Sequence, residues 1–143
     1  TSGCARLESG WQPAHISFEE SGLPTALLPT YLKSHSYGEY VFDWSWAEAW
    51  QRMGLRYYPK LVTAVPFTPA TGQRFGCQER VAETLPRIVS AVQTLCETLD
   101  VSSWHVLFVD PDTSEQLTSC GMTQRMTTQF HWFNRGYFRF IWF

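Results

Sequence analysis

Residues 59–66, Pro59-Lys60-Leu61-Val62-Thr63-Ala64-Val65-Pro66, decide the fold. They form a short apolar run without clean alternation, bounded by prolines. That pattern predicts a central strand covered on both faces. Downstream, Val81, Leu85, Ile88, Val89, Val92, Leu95, Cys96 and Leu99 make one stripe at the 3.6-residue period, so a long helix follows. Pro86 leaves two possible starts: Thr84 caps the helix with Pro86 in its first turn, or a start near Glu79 is kinked at the proline. Residues 102–109 (SSWHVLFV) are the next strand. A strand, a helix and a second strand in succession place the chain in the α/β class.

Working outward, residues 14–19 and 24–34 are two extended runs joined by a tight turn at Glu20-Ser21-Gly22-Leu23, a predicted hairpin. Pro29 marks a bulge or an edge in the second run. Asp43 or Ser45 is placed to cap a helix running to about Met53, with Gly54 as its stop. Its residues Trp46, Ala49, Trp50 and Met53 share one face and are expected to pack in the core. A short helix from Asp112 to Gly121 and an alternating stretch, 122–133, complete the order β-β-α-β-α-β-α-β. In that stretch Met122, Met126, Phe130 and Trp132 face one way, with Arg125, Gln129 and His131 opposite. The 143 residues make one domain, spanning 1–143.

Composition bounds the function. Hydrophobic residues make up 44% and charged residues 17%, which is globular and not disordered. A net charge of −2 disfavours a dedicated nucleic-acid binder. Lys33, Arg52, Arg56, Lys60, Arg74 and Arg80 are expected as solvated surface charges, with a small positive patch as the alternative. Cys4, Cys77, Cys96 and Cys120 form no C-x-x-C pair and lie outside ligand spacing from any histidine, so reduced thiols, a cytoplasmic location and no metal are expected. The opening residues lack a signal-peptide pattern, and no apolar stretch approaches the ~20 residues that span a bilayer. Seven Trp in so short a chain mean a bulky core or an exposed aromatic platform.

Phosphate-loop, dinucleotide, nucleophile-elbow and zinc-protease signatures are all missing. Two segments nonetheless carry chemistry. In residues 31–44, polar, titratable and aromatic side chains crowd a loop directly after a strand. His35 is placed to act as a base, with Tyr37, Glu39 or Asp43 to orient a nucleophile or an amine. The bland alternative is a hydrogen-bonded connection from strand to helix. Residues 66–74 lie between the apolar strand and the long helix, where backbone N–H groups and Arg74 would cradle a pyrophosphate or carboxylate. A rigid proline-stiffened loop is the alternative there.

These segments also carry a resemblance. Residues 31–50 (YLKSHSYGEYVFDWSWAEAW), 54–74 (GLRYYPKLVTAVPFTPATGQR), 102–109 and 129–137 (QFHWFNRGY), with 10–19 (GWQPAHISFE) upstream, resemble successive blocks of the Fem-like peptidoglycan biosynthesis/recognition family. The resemblance implies the fold of the GCN5-related N-acyltransferases, with a mixed, mostly antiparallel sheet flanked by helices. It also implies transfer of an acyl or aminoacyl group to an amine, from an acyl-CoA or an aminoacyl-tRNA. Under it, His35, Glu39 and Asp43 would handle protons, and Thr71, Gly72, Gln73 and Arg74 would bind the donor. Lys33, Tyr37, Trp44 and Tyr58 would line the substrate pocket. Only Gly72 matches the acetyltransferase loop pattern Q/R-x-x-G-x-G/A. Family members are usually longer, which frames the rival expectation: a non-catalytic binding or assembly module that keeps the fold. The aromatic ending FRFIWF adds an expected homodimer. Contact with nucleic acid is expected at most with tRNA.

Overall fold

The computed structural model describes residues 3–136. A 3-10 turn, Leu7–Ser9, leads into β1 (Gln12–Pro13), β2 (Ile16–Glu20), β3 (Leu23–Leu28), β4 (Thr30–Lys33) and α1 (Trp44–Arg52). Then follow β5 (Lys60–Thr63), β6 (Gly76–Cys77), α2 (Val81–Thr98), β7 (Trp104–Val106) and α3 (Pro111–Ser119). The class is mixed α/β. One sheet has the order β1-β4-β5-β7, antiparallel except for the parallel pair β5–β7, and the other is the antiparallel β2-β3-β6.

The expected hairpin is β2–β3, closed by Ser21 (φ 53°) and Gly22 (φ 78°). Two central residues with positive φ give the turn whose twist matches that of paired strands. Pro29 does more than bend the run 24–34. The proline separates β3 from β4, and the two halves enter different sheets. A residue without an N–H cannot continue a ladder, so the chain changes sheets there.

The strand 60–63 is central, as its composition demands. Leu61 faces the main core of Leu28, Phe75, Leu85, Ile88, Val89 and Val92, built on the apolar stripe of α2. Val62 faces a second core of Trp11, Tyr31, Ala64 and Leu107. α2 starts at Val81 with Pro86 inside it, close to the earlier of the two predicted starts and three residues before Thr84. The carbonyl that Pro86 leaves without a helical partner is that of Ala82, an exposed residue that water can reach.

Two expectations are corrected. The α1 stripe is not core: no residue of α1 is buried, and Trp46 and Met53 are 50% and 64% exposed. The alternating stretch 122–133 forms no strand, and Met126 and Phe130 stand almost fully in solvent. Alternation sorts side chains onto two faces but supplies no neighbouring strand, and without one the ladder has no partner. This segment instead touches the surface through Arg125 over the Trp46 ring (4.5 Å), Gln124 to Ser114 Oγ and Gln129 to the Pro69 carbonyl. The terminal segment behind the expected dimer, FRFIWF, lies outside the described residues. Among the described residues no helix is long and apolar enough to cross a membrane.

Candidate functional site

Lys33 ends β4 and Lys60 begins β5, and the antiparallel register sets them directly opposite. Like charges so placed repel. Both side chains are nonetheless fully buried, along with Arg74, so three of the six cations expected at the surface are interior. Arg52, Arg56 and Arg80 are the exposed ones, paired with Glu48, Asp100 and Glu83.

The loop that leaves β4 resolves the conflict by folding its acids back over the strand ends. Lys60 Nζ donates to Ser36 Oγ (2.9 Å), Glu39 Oε2 (2.9 Å) and Asp43 Oδ2 (2.6 Å). Three donors meet three acceptors, which saturates the ammonium. Tyr57 Oη donates to the same Asp43 oxygen at 2.7 Å, and Tyr58 Oη shares a 2.7 Å bond with Ser36 Oγ. Lys33 Nζ takes a different solution. It donates to the Tyr37 carbonyl (2.9 Å) and sits 3.9 Å above the ring of Trp11. Burial lowers the Lys33 pKa to about 8, against the opposing pull of Glu39.

The two carboxylates are not equivalent. Burial raises the Glu39 pKa, and Lys60 only partly offsets that. Asp43 feels burial too, but its bonds from Lys60, Ser36 and Tyr57 hold it below the usual carboxylate range. Asp43 sits at the N-cap of α1, as its position predicts, yet its side chain caps nothing because Lys60 and Tyr57 claim it. His105, on the same face of neighbouring β7, bonds Ser103 Oγ at 2.9 Å, and burial pushes its pKa down to about 4.

Of the residues expected to handle protons, the structure joins Glu39 and Asp43 through Lys60 and leaves His35 apart. The His35 ring lies on the backbone of Gly10, where an added Cβ would fall 2.0 Å from Nε2. Its Nδ1 accepts from the Tyr37 N–H at 3.3 Å. Burial, with Lys33 nearby, depresses its pKa. Of the expected pocket residues, Lys33 is buried and Tyr58 is half-buried. Tyr37 and Trp44 point outward, their rings 6.3 Å apart.

The expected donor loop spends its polar groups on the protein itself. Arg74 donates to the carbonyls of Leu107 (2.8 Å), Gln73 (3.2 Å) and Ala70 (2.6 Å). The Gly72 N–H bonds the Phe108 carbonyl, and Gln73 Nε2 bonds that of Phe75. Thr71 is exposed. Nor does this loop open a helix, because β6 intervenes and pairs with β3 before α2 begins. Where Gly38 of the 33–44 segment meets Phe67, the space between the two segments is filled. Trp11 and Phe67 pack at 5.7 Å, and a Cβ on Gly38 would fall 2.5 Å from Phe67 and 3.0 Å from Trp11.

Sequence reasoning missed Lys60 as a centre, together with Trp11, Ser36, Tyr57 and His105. One signal was present: a lysine inside an otherwise apolar strand, and two acids four residues apart in the preceding loop. A cation in a doubly covered strand needs a carboxylate. The family FemAB-like, described as peptidoglycan biosynthesis/recognition, matches residues 1–143. No curated protein and no solved structure matches.

Proposed function

Because the chain belongs to the FemAB-like family of peptidoglycan biosynthesis/recognition proteins, we propose that it is a recognition module for peptidoglycan precursors. One observation carries this reading. The Lys60 cluster is sealed, and its charges are spent on holding a loop that turns Tyr37, Tyr40, Phe42 and Trp44 toward solvent. A charged catalytic centre must reach its substrate. An aromatic platform needs only a rigid mount, and its faces suit the C–H faces of sugar rings and the stems of a peptide. The filled space where Gly38 meets Phe67 supports the same conclusion. A cytoplasmic location, where cysteine thiols stay reduced, and self-association through apolar surface belong to this reading.

A second reading keeps the N-acyltransferase-like activity, with its fold and an acyl-CoA or aminoacyl-tRNA donor. The raised Glu39 pKa favours it, since a carboxyl poised toward neutrality suits proton transfer. It requires the 34–43 loop to open.

Calorimetric titration with glycan–peptide fragments released from peptidoglycan separates the two. Saturable binding that weakens about tenfold or more in Trp44→Ala and Tyr37→Ala, with an unchanged unfolding midpoint, is the expected result. Fragments that bind the variants as tightly as the parent, or not at all, overturn the recognition reading. Acetyl-CoA or aminoacyl-tRNA binding that is lost in Gln73→Ala would establish the transfer reading in its place.

A further inference from the structure

Between the end of α1 and the end of α2 lies an open cavity of about 220 Å³ walled by Trp50, Leu55, Tyr58, Val101 and Ser102. Arg56 and Asp100 line it too, both largely exposed, so they form its rim. Pockets for drug-sized ligands run from about 300 Å³, so this one suits something smaller. Its rim presents one cation and one anion joined to each other: Arg56 Nη2 donates to both oxygens of Asp100 at 2.6 Å.

The backbone at Asp100 is the second observation. α2 ends in a Schellman motif, in which the Val101 N–H bonds the Cys96 carbonyl (3.0 Å) and the Asp100 N–H bonds that of Glu97 (3.2 Å). The residue between those bonds must be left-handed, and Asp100 has φ 51°. Glycine is the usual occupant because it has no Cβ to strain. Aspartate tolerates this conformation better than most side chains, and here it sets its carboxylate on the cavity rim beside Arg56. Stability is a poor explanation, since an exposed ion pair contributes little.

We infer that this cavity binds a small zwitterion, a free amino acid or short peptide bearing both an ammonium and a carboxylate. Such a ligand exchanges one weak ion pair for two. Its carboxylate takes the planar fork of Arg56, its ammonium takes Asp100, and its carbon skeleton lies against Trp50 and Val101. This site is separate from the aromatic platform, and the two stand or fall independently.

Calorimetry with L-alanine, glycylglycine and L-alanyl-L-alanine, beside their N-acetylated and C-amidated forms, tests it. At least one free zwitterion is expected to bind saturably, with both blocked forms at least tenfold weaker. Asp100→Gly is expected to abolish that binding while the unfolding midpoint holds or rises, because the left-handed strain is relieved. Absence of binding, equal binding of the blocked forms, or a midpoint lowered by Asp100→Gly each overturns the inference.

Discussion

The end of the β4–β5 ladder and the surface around α1 invert the usual distribution of side chains. At the first, two lysines and two carboxylates are fully buried. At the second, Trp44, Trp46, Met53 and, beside Arg125, Met126 are half to almost wholly exposed. The difference teaches that burial follows the neighbours the fold supplies, and not the polarity of a segment. Lys60 can be interior because a loop brings it three oxygens. Trp46 stays half outside, where the Arg125 guanidinium lies over its ring.

The largest effect is expected from breaking the buried side of this contrast. Lys60→Met leaves Glu39 and Asp43 buried without their cation and should cost about 3–5 kcal/mol in urea denaturation. Adding Glu39→Gln and Asp43→Asn should return much of that loss. A cost below about 1 kcal/mol would mean that the cluster opens to water.

Acid sharpens the contrast next. His105 titrates near 4 in the folded protein against about 6.5 unfolded, so the unfolded chain takes up a proton first. Its contribution is therefore complete above about pH 6.5 and is lost as pH falls toward 4, on the order of 3 kcal/mol. Glu39, whose pKa is raised, acts with the opposite sign: its contribution is present at low pH and is lost as pH rises through its folded value. His105→Gln should thus flatten the acid limb of a stability–pH profile without touching the Glu39 slope. An unchanged limb would place His105 in water.

The smallest effects belong to the exposed side. Met53→Ser should change stability by less than about 0.5 kcal/mol, the ordinary range for a surface position. Trp46→Ser should cost only about 0.5–1 kcal/mol for its cation–π contact with Arg125. A loss of several kcal/mol at either would restore the core role that helical spacing suggested.

Much of the scaffold was legible before any coordinates. The hairpin at Ser21-Gly22, the doubly covered strand at 60–63 and the stripe of α2 follow from local periodicity and turn chemistry. The candidate site was legible only in part. Glu39 and Asp43 were marked by their company in the loop, but Lys60 was lost among cations that looked solvated. Its role depends on a register with β4 and on acids that lie 21 and 17 residues away in sequence. Arg74 was marked for a pyrophosphate or carboxylate, and its bond to the Leu107 carbonyl was not legible because that group comes from another part of the chain.

The sequence by itself determined the α/β class, most of its elements and the family, because periodicity, turn residues and long signature blocks are local properties. The tertiary structure decided which side chains are inside. It sent the halves of residues 24–34 into different sheets, paired Lys60 with its two acids, and left most of the α1 stripe and most of residues 122–133 facing water. Burial and ion pairing depend on what lies opposite in space, and a one-dimensional pattern names a face without naming what covers it.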